Sequence, residues 1–145
     1  MSHKSPAIAR LLDGIEPSEL PRHYAGYFVC FNRGLYFEAH DVLEELWLAG
    51  GRNGANYHFH KGLIQLAGAF VHLQKQRLRP AVALFDLAEA NLSRHRPRHD
   101  HLDLEAVLAL IADWRSAIQA GGYDHNPLPD RPAPRVEPDP VRASA

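Results

Sequence analysis

From Ser18 to Ala120 the apolar residues recur at intervals of three and four, and no stretch alternates apolar and polar residues between turn signals as a strand would. That period leaves an all-α fold, because each amphipathic helix must bury its stripe against another helix. Glycine and proline divide the pattern into about five segments. Ser18 suits an N-cap with Pro21 in the first turn, and the segment runs through Tyr24, Tyr27, Phe28 and Phe31 to a stop at Asn32-Arg33-Gly34. A second helix spans 36–49 and ends in a glycine-rich connector, 50–54, without the Lys-Ser/Thr of a phosphate loop. A third begins at Asn56, a good capping residue, and runs to about Gln76. Pro80 fits the first turn of a fourth, ended by Pro97; Asp103 can cap a fifth, which closes at Gly121-Gly122. A short helix over Ala7–Leu12 is an addition. Short connections predict a compact antiparallel bundle of about five helices, one domain over 1–122. Residues 123–145 are proline-rich and predict an extended tail, lying along the bundle or free, with a partner motif as the alternative to plain solvation.

Charge and composition narrow the function. With a formal net charge of -1 there is no broad field for a polyanion, and no Lys/Arg cluster with interleaved aromatics offers a local one, so no nucleic-acid partner is expected. The longest apolar stretch, Leu63–Val71, is broken by Gln65 and stopped by His72, short of a membrane span. Met1–Asp13 lacks the apolar core and cleavage site of a signal peptide, and the single Cys30 has no disulfide partner in the chain. These features predict a cytoplasmic protein with Cys30 packed in the core. Ten histidines are heavy usage, and imidazole is the commonest metal ligand.

Two of those histidines stand on helix faces where a partner can be named. Turning the 36–49 helix at about 100° per residue sets Ala39, Leu43, Leu46 and Trp47 on one side, Glu38, Asp41 and Glu45 on the other, and His40 and Glu44 on the boundary. His40 and Glu44, four apart, stack one turn above the other beside Trp47. They can share a divalent metal, or the Glu can hold the imidazole by a hydrogen bond, as an exposed pair beside a core tryptophan would. The 56–76 helix is apolar around most of its circumference, with a polar stripe of His58, Lys61, Gln65 and His72 flanked by Gly62, Gly68 and Ala69, small enough for a neighbouring helix to approach closely. The plain alternative is that the stripe faces solvent. Antiparallel packing of the two helices brings His40 level with His72, so His40, Glu44 and His72, with Gln65 near, match the two-His, one-Glu set of a catalytic zinc site. His95, His99 and His101 fall in a connection read as a solvated loop, and His3, His23, His60 and His125 show no evident partners.

The run from Phe31 to Trp47, FNRGLYFEAHDVLEELW, resembles the signature of the domain of unknown function 309 family through His40, Glu44 and Trp47 in a His-x-x-x-Glu-x-x-Trp pattern. The resemblance continues at Gly62-Leu63-Ile64-Gln65-Leu66-Ala67 and His72 and spans about Phe31–Leu92. Asp41 stands where relatives often carry Glu, and Pro80-Ala81 replaces a common Gly-Ala pair. The resemblance implies a small all-helical protein of a family labelled predicted metal-dependent hydrolases.

Two functions are therefore expected. In one, His40, Glu44 and His72 hold a divalent metal, zinc by preference, for hydrolysis, with Glu44 as ligand or general base, Gln65 orienting a ligand or water, His58 a further ligand contact and Trp47 walling the site from solvent. In the other, the same residues form a hydrogen-bond network that fixes helix packing in a non-enzymatic binding or interaction module. The partner is a small molecule or a protein, and the oligomeric state is open.

Overall fold

The computed structural model describes residues 5–14 and 20–139. Six α-helices follow in chain order: α1 Ser5–Asp13, α2 Arg22–Asn32, α3 Tyr36–Gly50, α4 Tyr57–Gln74, α5 Leu78–Leu92 and α6 Leu104–Ala120. Between α5 and α6 lie a 3-10 turn, Ser93–His95, and an antiparallel ladder of β1 (Arg98–His99) and β2 (Leu102–Asp103). At two residues per strand this ladder is too short to leave an alternating pattern, which is why the sequence reads as continuous helix and loop there. The fold is all-α.

Most helix ends obey local chemistry. The stop at Asn32-Arg33-Gly34 holds because Gly34 takes φ of 77°, cheap only without a Cβ, and lets Leu35 N–H return to the Cys30 carbonyl at 2.9 Å. Asp103 caps α6, accepting from Glu105 N–H at 3.0 Å and Ala106 N–H at 3.3 Å. Pro80 sits in the first turn of α5, whose α-helical part stops at Leu92, earlier than the expected end at Pro97. Ser18 lies outside the described residues, and α2 begins only after Pro21. Asn56 makes no side-chain cap on α4, because its amide is committed to the β1–β2 turn.

Helix α4 is the centre of the molecule and packs along α3 on one side and α5 on the other. Phe70 shows why. Its ring lies against Phe31 of α2 at 5.6 Å, Tyr36 of α3 at 5.1 Å, Phe85 of α5 at 5.3 Å and Trp114 of α6 at 5.0 Å, so one aromatic side chain ties four helices. Cys30 is buried in the same core. The amphipathic α1 lays Ile8 and Leu12 on Val42, on the opposite side of α3.

The segment after α6 crosses the bundle surface. The Asn126 amide donates to the Leu73 carbonyl at 2.6 Å, and the Arg131 guanidinium lies 4.9 Å from the Trp114 ring centre. Val136 is buried, and the Asn32 carboxamide meets both its backbone groups, donating to the carbonyl at 2.9 Å and accepting from the N–H at 2.8 Å.

Candidate functional site

The start of α3 meets the end of α4, while the end of α3, through the Trp47 indole N–H, donates to the Tyr57 carbonyl at the start of α4 at 3.1 Å. The two helices therefore run antiparallel, and His40 and His72 line one cavity of about 260 Å³, with Gln65 on its polar side and Phe37, Ile64, Gly68, Val71 and Leu84 as its apolar wall. None of His58, Lys61, Gln65 and His72 is fully exposed, so the stripe on α4 is not a solvent face. Glycine is the reason. A Cβ at Gly62 would stand 2.7 Å from Leu92 Cγ and one at Gly68 would stand 3.1 Å from Leu84 Cδ1, so α5 approaches over the stripe and half covers it.

His40 is held by carboxylates on both ring nitrogens. Nδ1 lies 3.0 Å from Asp41 Oδ1, and Nε2 lies 3.3 Å from Glu44 Oε2 across one helical turn. Asp41 was expected on the polar face, yet its side chain is only 13% exposed. His72 stands differently, since its Nδ1 is buried with no hydrogen-bond partner. Burial, with Arg77 and Lys75 adding to it, holds this imidazole below its ordinary range, so it is neutral at physiological pH.

Three expected members, Glu44, Trp47 and His58, are absent from the cavity lining. Trp47 packs against Tyr57 with ring centres 5.3 Å apart, and is absent from the cavity lining, so it does not wall the site. His58 Nδ1 lies 3.1 Å from Asn91 Oδ1, and Asn91 Nδ2 donates to Gln65 Oε1 at 2.7 Å. That His58–Asn91–Gln65 chain links α4 to α5. Asn91 is the member the sequence reading missed, and nothing local to α5 marks it.

The donor set does not fit a metal as it stands. A ligating imidazole needs a free lone pair, and both nitrogens of His40 face carboxylate oxygens. Among the described residues no group of three or more His, Cys, Asp and Glu side chains is placed to hold a metal ion.

A larger groove of about 700 Å³ runs between α2 and the C-terminal segment; of its charged lining residues, Arg135 and Glu137 pair with each other and Arg33 is exposed. Of the histidines read as a solvated loop, His101 is exposed, whereas His95 and His99 are packed. His99 Nε2 lies 2.7 Å from Asn56 Oδ1, and the His95 and His99 rings, 4.4 Å apart, both pack on Phe59. His23 pairs with Glu45 at 3.2 Å, His125 pairs with Asp130 at 2.6 Å, and His60 is buried. His3 lies outside the described residues. Among these residues no helix is long and apolar enough to cross a membrane.

Comparison with curated proteins and with solved structures finds no match. A family model described as "Domain of unknown function (DUF309)" matches residues 24–84, which build α2, α3, α4 and the first half of α5 and include His40, Glu44, Gln65 and His72. The helices that form the cavity, residues 24–84, thus match the domain of unknown function 309 family.

Proposed function

We propose that the protein is a helical binding module whose site is the α3–α4–α5 cavity, and that its ligand is a small, mostly apolar alcohol or primary amide. The carrying observation is an apolar-walled cavity lined by an imidazole, His72, with one buried nitrogen unpaired. A buried polar atom left unpaired costs about 1–3 kcal/mol, a penalty that a bound donor would remove. Because burial keeps His72 neutral, it has a lone pair to offer. Gln65 complements it: its oxygen already accepts from Asn91, so its N–H2 remains for a ligand acceptor. A ligand that both donates and accepts, on a short apolar body, matches that pair. The cavity, about 260 Å³, lies under the ~300–1,000 Å³ of sites for drug-sized ligands, so the ligand is smaller than those. The His58–Asn91–Gln65 chain supports the structural half of this reading, since its two hydrogen bonds fix α5 over α4. Methyl-detected NMR titration with short-chain alcohols, amides and carboxylates tests it. Saturable shifts of Ile64, Val71 and Leu84 with the alcohols or amides, lost in His72→Phe, are expected; their absence in folded wild-type protein defeats the reading.

Metal-assisted hydrolysis, with Glu44 as ligand or general base and His40 and His72 as ligands, is the second reading; the unpaired nitrogen of His72 favours it, and it requires His40 to give up one of its two carboxylate partners. Elemental analysis of untagged protein purified without chelator separates the two. Stoichiometric zinc, manganese or iron lost in His40→Ala favours the hydrolase. Metal-free protein, with a melting temperature unmoved by divalent ions, favours the binding module.

A further inference from the structure

A second cavity, of about 270 Å³, opens at the other end of α4, where Pro21, Tyr24 of α2, Leu46 of α3, Asn56 and His60 meet Asp100 and His101 of the β1–β2 turn. The turn is built with care. Asp100 and His101 take φ of 44° and 64°, a left-handed backbone that is costly for residues carrying a Cβ and persists only where surrounding contacts enforce it. Those contacts are present. The Tyr24 hydroxyl donates to the Asp100 carbonyl at 2.7 Å, and the Asn56 amide donates to Asp100 Oδ2 at 2.7 Å while Asn56 Oδ1 takes the His99 ring nitrogen at 2.7 Å. The Asp100 carboxylate is thereby fixed at the cavity edge, with Oδ1 left for other use.

His60 is the second polar group that lines the cavity. It is 8% exposed, packs between the Tyr24 and Phe59 rings, and receives no hydrogen bond to its own ring among the described residues. Burial pushes this imidazole down, Asp100 opposing and His99 and His95 adding to the effect, so it stands neutral with a lone pair available. The Tyr24 hydroxyl proton, the Asn56 carboxamide oxygen and one of its two N–H groups are already spent. What Asp100 and His60 have left to offer an ammonium is acceptor capacity, a carboxylate oxygen and the lone-pair nitrogen of the imidazole, beside the apolar surfaces of Pro21 and Leu46; the other imidazole nitrogen carries the ring's N–H.

We propose that this cavity binds a small organic cation, an alkyl- or arylammonium with a compact apolar body, its N–H groups donating to Asp100 and His60. The site is separate from the α3–α4–α5 cavity and stands or falls independently of it. Two acceptors, one of them charged, select against anions and give a neutral isostere only part of the interaction.

Titration of the full chain with benzylamine, followed by amide NMR, tests the assignment, with benzyl alcohol and benzoate as neutral and anionic controls. Saturable shifts at Tyr24, Leu46, His60 and Asp100 are expected with benzylamine, binding about tenfold weaker with benzyl alcohol, and none with benzoate. Asp100→Asn should weaken benzylamine about tenfold, because Asn tolerates the left-handed backbone and keeps an acceptor for Asn56 but removes the charge. His60→Phe, which keeps a ring against Tyr24 and Phe59, should weaken it independently. Benzyl alcohol binding as tightly as benzylamine, unchanged affinity in a folded Asp100→Asn protein, or shifts confined to other parts of the molecule would each overturn the proposal.

Discussion

Gly62 and Gly68 both face α5 from the middle of α4, and alanine at the two positions should change stability in opposite directions. In a helix interior, Gly→Ala by itself stabilises by about 0.8–1 kcal/mol. At Gly62 the new methyl would lie 2.7 Å from Leu92 Cγ, 2.8 Å from Leu92 Cδ2 and 3.2 Å from Asn91 Cβ. Leu92 is fully buried and cannot swing away, so the contact is relieved only by moving α5, an overpacking cost of about 1–3 kcal/mol. The same movement pulls Asn91 off His58 and Gln65. Subtracting the helical gain leaves about 0–2 kcal/mol, and loosening one Asn91 hydrogen bond adds about 0.5–1.5 kcal/mol, for a net loss of about 0.5–3.5 kcal/mol, or a melting temperature lower by roughly 2–12 °C for a chain of this size. At Gly68 the nearest atom is Leu84 Cδ1 at 3.1 Å, the tip of a half-buried side chain beside an open cavity. Leu84 can rotate into that space, so Gly68→Ala should be neutral or stabilising by up to about 1 kcal/mol while shrinking the cavity. Urea titrations of both variants and wild type, read by far-UV circular dichroism with the slopes compared, measure the difference. Equal effects of the same sign, or a Gly62→Ala protein as stable as wild type, would refute the claim that close α4–α5 approach depends on Gly62.

Asn32→Ala removes both hydrogen bonds to Val136, each worth about 0.5–1.5 kcal/mol, and should make the 131–139 segment the first site of limited proteolysis while α2–α6 remain intact. Trp47→Phe should cost the indole hydrogen bond to Tyr57 and about 1 kcal/mol of stability without altering ligand shifts at Ile64, Val71 and Leu84, because Trp47 is outside that cavity. His60, His72 and His95 are all held below the ordinary value of 6.5, so in that window the unfolded chain binds more protons than the folded one. Stability should then be complete above about pH 6.5 and fall as the pH drops toward the folded values; melting curves across that range should flatten in part for His60→Leu.

What was legible in the sequence was whatever a single helix states by itself. The period of apolar residues located α2 to α6, Asp103 announced its cap, and Gly62 and Gly68 marked the face where another helix comes close. The antiparallel return of α4 along α3 followed from a short connector, and it brought His40 and His72 to one cavity. What stayed hidden depends on contacts between distant segments. Asn56 has the side chain of a cap, and its commitment to Asp100 and His99, more than forty residues away, leaves no local trace. The same distance hid the packing of His95 and His99 on Phe59. Asp41 was misplaced for another reason: helical geometry gives its direction but not the depth of the surroundings. Trp47 was set beside His40 and Glu44 by register alone, whereas the Tyr57 ring decides where its indole rests.

The clamp of Asn32 on Val136 has a consequence for colloidal behaviour. In an extended chain successive N–H groups point to opposite edges, so the even-numbered residues of the 131–139 segment share the edge that faces α2. Pro132, Pro134 and Pro138 have no N–H on that edge, and the single one left, from Val136, is taken by Asn32. An exposed extended segment ordinarily invites a neighbouring molecule to pair with it and begin a cross-β assembly. Here the rim toward α2 carries no free donor, so a second molecule could pair only with the opposite rim, where the Asp139 N–H is already held by the His101 carbonyl.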